Sequence, residues 1–318
     1  RENLLKLLGI VPSFIEGKSV IEFGPGTGQN SLYFSLLKPK SLEMVEGNPK
    51  SISSLKSIMA QNRIDEFTLH ETRFQDFKSS RKFDVVWAEN CIPHQTDPVK
   101  MLELISNHVK DNGILVFTCL SGISYLSEIL RKAVYLNSPA VNIKSIEDKL
   151  NYLRPFLVPH LKNLPSMTRY HDDWIIDNVI HPFTGSRLFS FYDAVRAIGK
   201  NFEVYKMTPD FSTNWNWYKS LYKDDNSLNQ LHTSNYFSNN INLIDKSQEP
   251  ISQSISNGQK LESLGNEVWH AMQRLELQHA GALDQFITKV IDIQTYIADY
   301  FPETSQAISE AIDTVLTG

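Results

Sequence analysis

Glu22-Phe23-Gly24-Pro25-Gly26-Thr27-Gly28 decides how the rest of this chain is read. It closes the apolar run Ser19-Val20-Ile21-Glu22-Phe23 and opens onto Gln29–Leu37, which reads as a helix stopped by Lys38-Pro39-Lys40. Glycine has no Cβ, so a turn built from it bends sharply and lies against a bound molecule. In a doubly wound sheet such a turn stands at the carboxyl edge of the first strand, where ligands bind. The spacing excludes two neighbouring motifs. A dinucleotide fingerprint has its third glycine three residues after the second, whereas Gly28 stands two after Gly26. No Lys-Ser/Thr follows, as a phosphate-cradling loop requires.

Working outward, Leu42–Glu46 reads as a second strand, and Pro49–Gln61 as a helix with proline at a tolerated first-turn position. Phe67–Thr72 and Phe83–Ala88 supply two more strands. Pro98–Lys110 carries a helical stripe of Met101, Leu102, Leu104, Ile105 and Val109, ended by Asp111-Asn112-Gly113 before a fifth strand, Gly113–Thr118. Strands alternating with helices mean crossover units and a mostly parallel, Rossmann-like α/β sheet with helices on both faces.

After a helix over Tyr125–Tyr135, residues 137–188 break this rhythm with Pro139, Pro155, Pro159, Pro165 and Pro182, and read as an insertion over the sheet. Alternation resumes with a helix at Phe191–Ile198 and strands near Phe202–Met207 and Ser212–Tyr218. Lys223–Gln259, rich in Asn, Ser and Gln, reads as a loop or linker. Then Leu261, Leu264, Val268, Met272 and Leu275 form one helical stripe, and Leu283, Phe286, Val290, Ile293 and Ile297 a second. Ile308, Ile312 and Val315 form a shorter third. Such stripes serve core packing or an oligomer seam. The expected organisation is a Rossmann-like domain over 1–220, carrying the 137–188 insertion as a lid, followed by a linker and helical extension over 221–318.

The composition agrees with a folded protein. Of 318 residues, 41% are hydrophobic and 21% charged, enough for one large core or two modest ones. Thirty-one basic against 36 acidic residues give a net charge of -5, without the basic excess that drives non-specific nucleic-acid binding. Cys91 and Cys119 are too few for a disulfide framework or a four-thiolate zinc site, and free thiols are expected. No apolar run approaches the roughly 20 residues of a membrane span. Leu4–Ile15 is broken by Lys6, Gly9 and Pro12, so no signal peptide is expected there. Arg1 in place of methionine fits a fragment of something longer. The expected location is the cytoplasm.

The glycine stretch resembles motif I of the class I S-adenosylmethionine-dependent methyltransferases. The resemblance covers about residues 18–120, with a weaker echo at 189–218. Glu46 matches the acid that grips both ribose hydroxyls in that family, a role suited to a group that accepts two hydrogen bonds at once. Asp76, in Phe74-Gln75-Asp76-Phe77, matches the residue that reads the adenine amino group. The Phe83-Asp84-Val85-Val86 strand is also family-typical, whereas the usual Pro-Gly-Gly before the fifth strand is Asp111-Asn112-Gly113 here. The resemblance implies S-adenosylmethionine as cofactor, held by Glu22, Gly24, Gly26, Gly28, Asn30, Glu46, Asp76 and Glu89.

Methyl transfer is an in-line displacement, so the protein mainly aligns the acceptor and excludes water. A hydroxyl acceptor also needs a base. Glu89 and His94 follow the fourth strand, and the insertion adds Asp172 and Asp173. In His171–His181, Trp174, Ile175, Val179 and Ile180 bury one helix face while Asp173, Asp177 and His181 share the other. That polar face suits a polyhydroxylated acceptor, a divalent cation, or nothing beyond solvent and a helix cap. No metal site is assigned. Trp215, Trp217 and Tyr218 suit either a strand core or stacking on a sugar. The His171-Asp172-Asp173-Trp174 and Asn214–Lys219 segments also resemble bacterial methyltransferase-like proteins associated with surface polysaccharide assembly. The expected function is methyl transfer to a small-molecule or glycan acceptor at a hydroxyl, with the C-terminal helices serving a homo-oligomer or further domains. Two other readings stay open: a nucleotide-sugar glycosyltransferase on a methyltransferase-like fold, and a non-catalytic module of a polysaccharide assembly protein.

Overall fold

Ser19–Phe23 (β1) is buried at all five positions, as expected of a central strand covered on both faces. It pairs in parallel with Ser41–Glu46 (β2) on one side and Phe83–Ala88 (β4) on the other. Thr68–Glu71 (β3) lies beyond β2, and Val109–Phe117 (β5) beyond β4. The order β3-β2-β1-β4-β5, parallel throughout, makes the expected doubly wound sheet. Its strand order reverses at β1, and the crevice at that reversal is where such sheets take ligands. The computed structural model describes residues 1–164, 167, 169–183, 188–212 and 228–317.

The alternation of strand side chains builds two cores. Ile21 and Phe23 of β1 join Val45, Val86, Leu102 and Phe189 on one face. Val20 joins Met44, Val85, Trp87 and Phe34 on the other. The helices Gln29–Leu36 (α2), Pro49–Gln61 (α3) and Pro98–Ser106 (α4) run between strands, and α3 and α4 begin with proline behind the side-chain caps Asn48 and Asp97. A short helix, Glu2–Leu7 (α1), precedes the sheet and buries Leu5.

Several elements depart from the expected ones. The stripe expected through Lys110 ends at Ser106, and β5 starts at Val109. Asp111-Asn112-Gly113 is therefore a bulge inside the strand, where the register jumps from Phe83–Val109 to Val85–Ile114. Asn112 takes φ 59°, and Lys110 reaches Asp84 at 2.9 Å and Ser19 at 3.0 Å, so the bulge is tied to the sheet's lower edge. No strand forms over Phe202–Met207. The Asn229 side chain instead accepts from Val204 N–H and donates to the Gly199 and Phe202 carbonyls, satisfying backbone that a strand would have paired. The strand expected at Ser212–Tyr218, with Trp215, Trp217 and Tyr218, lies outside the described residues from 213 onward.

Residues 137–188 hold more helix than expected. Ile146–Lys162 (α6) carries Pro155 and Pro159 within it and still buries Leu150, Leu153 and Leu161. His171–Ile175 (α7) continues into a π-helical turn, Ile176–Ile180. Phe191–Ile198 (α8) forms as expected, closed at its start by a Ser190–Asp193 capping box. The expected linker contains Leu228–Asn239 (α9), whose end, with the turn after it, buries Tyr236, Phe237 and Ile241. The three C-terminal stripes are Ile255–Glu276 (α10), Ala282–Ile297 (α11) and Pro302–Thr317 (α12), with Leu261, Val268, Met272, Phe286, Val290 and Ile293 among the buried positions.

The chain divides into two compact units, Arg1–Leu120 with Phe189–Tyr236, and Ser121–Leu188 with Phe237–Gly318. The second unit joins the insertion to the C-terminal helices from Phe237 onward. The side chains explain it. In the helix Leu126–Leu136 (α5), Lys132 is fully buried, with Nζ 2.8 Å from Glu276 of α10 and bonded to the Val179 and His181 carbonyls. Asn137, capping α5, donates to the Val315 carbonyl of α12. At Gly122 a Cβ would stand 2.3 Å from the Gly265 backbone, so only glycine allows this approach to α10.

Candidate functional site

The site is built on the carboxyl ends of β1, β2 and β4, where the buried strands stop and their connections turn. After β1 the backbone passes through Gly24, Gly26 and Gly28, all with positive φ. Gly28 holds φ 88°, a conformation that strains any L side chain, and a Cβ there would stand 2.4 Å from the end of the Leu55 side chain of α3 and displace it. Gly26 differs. At φ 56° its Cβ position has no atom within 4 Å, so one face of the loop is open for a ligand to lie against the backbone.

Glu46, at the end of β2, is 8% exposed. Its Oε1 accepts from Asn48 N–H at 2.8 Å and its Oε2 from Gly26 N–H at 3.3 Å. Each oxygen then keeps acceptor capacity, since a carboxylate offers about four lone-pair sites. An oriented carboxylate beside an open glycine backbone is what a nucleoside with vicinal hydroxyls requires, and the residues present fit the expected cofactor.

Glu22 is buried at 1% exposure. It accepts from the Ser31 hydroxyl and from Asn30 Nδ2 at 3.0 Å, both from the first turn of α2. Burial pushes its carboxyl up to about 7, against the lowering effect of those two hydrogen bonds. The same Asn30 nitrogen reaches Glu89 Oε2 at 3.0 Å, and Trp87 Nε1 donates to that oxygen at 3.2 Å. Arg1 Nη1 lies 2.9 Å from the other oxygen, Oε1. Cys91 donates to the Phe23 carbonyl at 3.3 Å; burial pushes its thiol up, leaving it a packing group against Gly24.

The structure thus brings Glu22, Gly24, Gly26, Gly28, Asn30, Glu46 and Glu89 to one edge of the sheet. Asp76 stands in the 3₁₀ turn Phe74–Asp76 and accepts from Arg73 Nε at 2.8 Å, with both side chains well exposed. Arg73 in turn lies against Gly47, next to Glu46. His94 is exposed on the β4–α4 connection that also carries Glu89. Asp172 and Asp173 belong to the second unit. There Arg154 donates to Asp172 from Nε at 3.0 Å and Nη2 at 2.8 Å, which lowers its carboxyl below the usual range. Asp173 is exposed in the first turn of α7, while Trp174, Ile175 and Val179 are buried, so the helix splits into the expected apolar and polar faces. Among the described residues no group of three or more His, Cys, Asp or Glu is placed to hold a metal ion. No helix among them is long and apolar enough to cross a membrane.

Sequence reasoning missed Arg1, Ser31 and Trp87. Ser31 had a signal, its place beside Asn30 in the first turn after the loop. Arg1 had none, because its contact with Glu89 spans 88 positions.

Residues 1–149 match the family profile described as a methyltransferase domain. Ribosomal RNA small subunit methyltransferase G of Vibrio vulnificus is 25% identical over 121 residues, covering 38% of this chain and 55% of that protein. The structure of PKMT2 from Rickettsia typhi in complex with AdoHcy aligns over 80% of this chain and 51% of that one, at 16% identity and a TM-score of 0.50. N-methyltransferase NodS from Bradyrhizobium japonicum, in complex with S-adenosyl-L-homocysteine, aligns over 37% of this chain and 59% of its own, at 17% identity and a TM-score of 0.32. The chain therefore spans little more than half the length of these relatives, and at such identities the structural likeness shows the fold alone.

Proposed function

Residues 1–149 carry a methyltransferase domain of the class I, Rossmann-like type, and from that premise we propose that the protein uses S-adenosylmethionine to methylate a small-molecule or glycan acceptor at a hydroxyl. The observation that carries the cofactor half is Glu46, fixed by the Gly26 and Asn48 amides beside the open face of Gly26. When bound, the cofactor supplies an electrophilic methyl group on a sulfonium sulfur.

The chain's own residues do the rest. Glu46 accepts the ribose hydroxyls, the glycine loop lies against the nucleoside, and Asp76 reads the adenine amino group. Asn30 and Trp87 hold one oxygen of Glu89, which fixes this carboxylate at the end of β4. A fixed carboxylate here is suited to take the acceptor's proton, and His94 on the same connection is the second group assigned to that task. Asp172 and Asp173 are assigned to acceptor orientation, with Asp172 held in place by two hydrogen bonds from Arg154. The acceptor proposed is a surface polysaccharide, methylated in a bacterial cytoplasm.

Calorimetry with S-adenosylhomocysteine and, separately, UDP-glucose tests it. Binding of the first and not the second is expected. The reverse overturns the assignment in favour of glycosyl transfer, and loss of both favours a non-catalytic module.

A further inference from the structure

The charges around the glycine loop contain a member that cofactor binding does not account for. Glu22 and Glu89 are bridged by a single amide nitrogen, Asn30 Nδ2, 3.0 Å from one oxygen of each. Two carboxylates so arranged repel, and Glu22 is buried where an ion is costly. The compensating charge is Arg1, with Nη1 2.9 Å from Glu89 Oε1. Since Asn30 and Trp87 already occupy Oε2, Arg1 holds the oxygen that remains.

Arg1 is the N-cap residue in front of α1, and the segment that follows it is firmly seated. Leu5, Ile10 and Ile15 are all buried in the core that Val20, Phe34 and Trp87 share. Residues 1–15 therefore run as a strap anchored in the core, with the Arg1 guanidinium at the glycine-loop cleft. The anchoring leaves the Arg1 side chain as the part able to swing while α1 stays in place. The ion pair itself is partly exposed, at 35% for Arg1 and 21% for Glu89. Such pairs are weak, which suits a contact that opens on every cycle of ligand entry and release.

We propose that the segment 1–15 is a latch on the cofactor cleft, closed by Arg1 acting as a positioning residue on Glu89. The proposal rests on the cofactor reading above. Its consequence is kinetic: the product S-adenosylhomocysteine leaves through an opening that the Arg1–Glu89 contact keeps shut for part of the time.

Stopped-flow release of S-adenosylhomocysteine from the full chain tests this in wild type, Arg1→Gln, Arg1→Lys, Glu89→Gln and the double variant Arg1→Gln/Glu89→Gln. Arg1→Gln is expected to release product roughly two- to fivefold faster, the range an exposed pair supports. Arg1→Lys restores most of the wild-type rate, which a purely structural role for the guanidinium stem would not single out. Raising salt to about 0.5 M brings wild type to the Arg1→Gln rate, since screening weakens an exposed pair. The double variant is no faster than Glu89→Gln alone. Equal release rates in wild type and Arg1→Gln, or additive effects in the double variant, overturn the latch and leave the cofactor reading standing. Absence of S-adenosylhomocysteine binding in every variant, wild type included, overturns both.

Discussion

Replacing Glu46 is the sharpest test of the cofactor cleft. The carboxylate accepts from the Asn48 and Gly26 amides, and its remaining lone pairs are assigned to two ribose hydroxyls. A hydrogen bond to a charged group is worth about 1.5–3 kcal/mol net. Losing two, with water replacing part of each, leaves a deficit of about 2–4 kcal/mol. That is roughly a 30- to 1,000-fold rise in Kd for S-adenosylhomocysteine. Glu46→Ala carries the whole loss. Glu46→Gln keeps the shape and one acceptor oxygen but presents an amide donor where an acceptor stood, so a rise of about tenfold is expected. Calorimetry at fixed pH and salt gives the affinities, and a thermal melt shows whether the fold survives each change. If both variants bind within twofold of wild type with unchanged melting temperature, Glu46 does not hold the ribose and the placement of the nucleoside is wrong.

Glu22 gives a pH prediction. Its folded carboxyl lies near 7 against an unfolded value near 4.5, so the folded state binds the proton more tightly. Its contribution is intact at low pH and is lost as the pH rises through about 7. In Glu22→Gln this component of the pH dependence, about 2.5 kcal/mol between pH 5 and 8, should vanish from urea unfolding; an unchanged slope refutes the assignment. Gly122→Ala forces a Cβ to within 2.3 Å of the Gly265 backbone, and a loss of about 2 kcal/mol or more is expected in the same urea assay. Ile293→Asp places a carboxylate at a fully buried position of α11, and should leave the second unit unfolded by circular dichroism; a wild-type melt would show that α11 does not pack as described.

The parts of this molecule that were legible in its sequence are those decided locally. β1 and β4 are continuous apolar runs, and the glycines and Pro49 punctuate their neighbours, so strand and helix ends fall within a residue or two of expectation. Glu22, Asn30 and Glu46 stand on or beside the loop, and their gathering follows once the strand–turn–helix is recognised. β5 failed because Asp111-Asn112-Gly113 has the chemistry of a turn and is used as a bulge. α9 failed because an Asn- and Ser-rich stretch has weak helical preference, overridden by burial of Tyr236 and Phe237. α6 failed because prolines were read as breaks, while Leu150, Leu153 and Leu161 hold the helix together. The grouping of α5 with α10 and α12 depends on partners more than a hundred positions away, for which hydrophobic periodicity carries no information.

That grouping also governs how the chain must be made and cut. The second unit is assembled from two lengths of chain with part of the first unit between them, so 121–188 leaves the ribosome before the helices that complete its core. Until residue 276 follows, Lys132 lacks the carboxylate that faces it in the folded unit, and breaking such a pair costs about 3–5 kcal/mol. A chain ended near residue 220, at the boundary its composition suggests, would keep every strand of the sheet. It would nonetheless expose the apolar faces of α5 and the stranded Lys132 to the aggregation that unfinished cores invite. For this protein the safe place to shorten the chain is not the segment that looks like a linker, and the helices at its far end are part of what keeps its middle soluble.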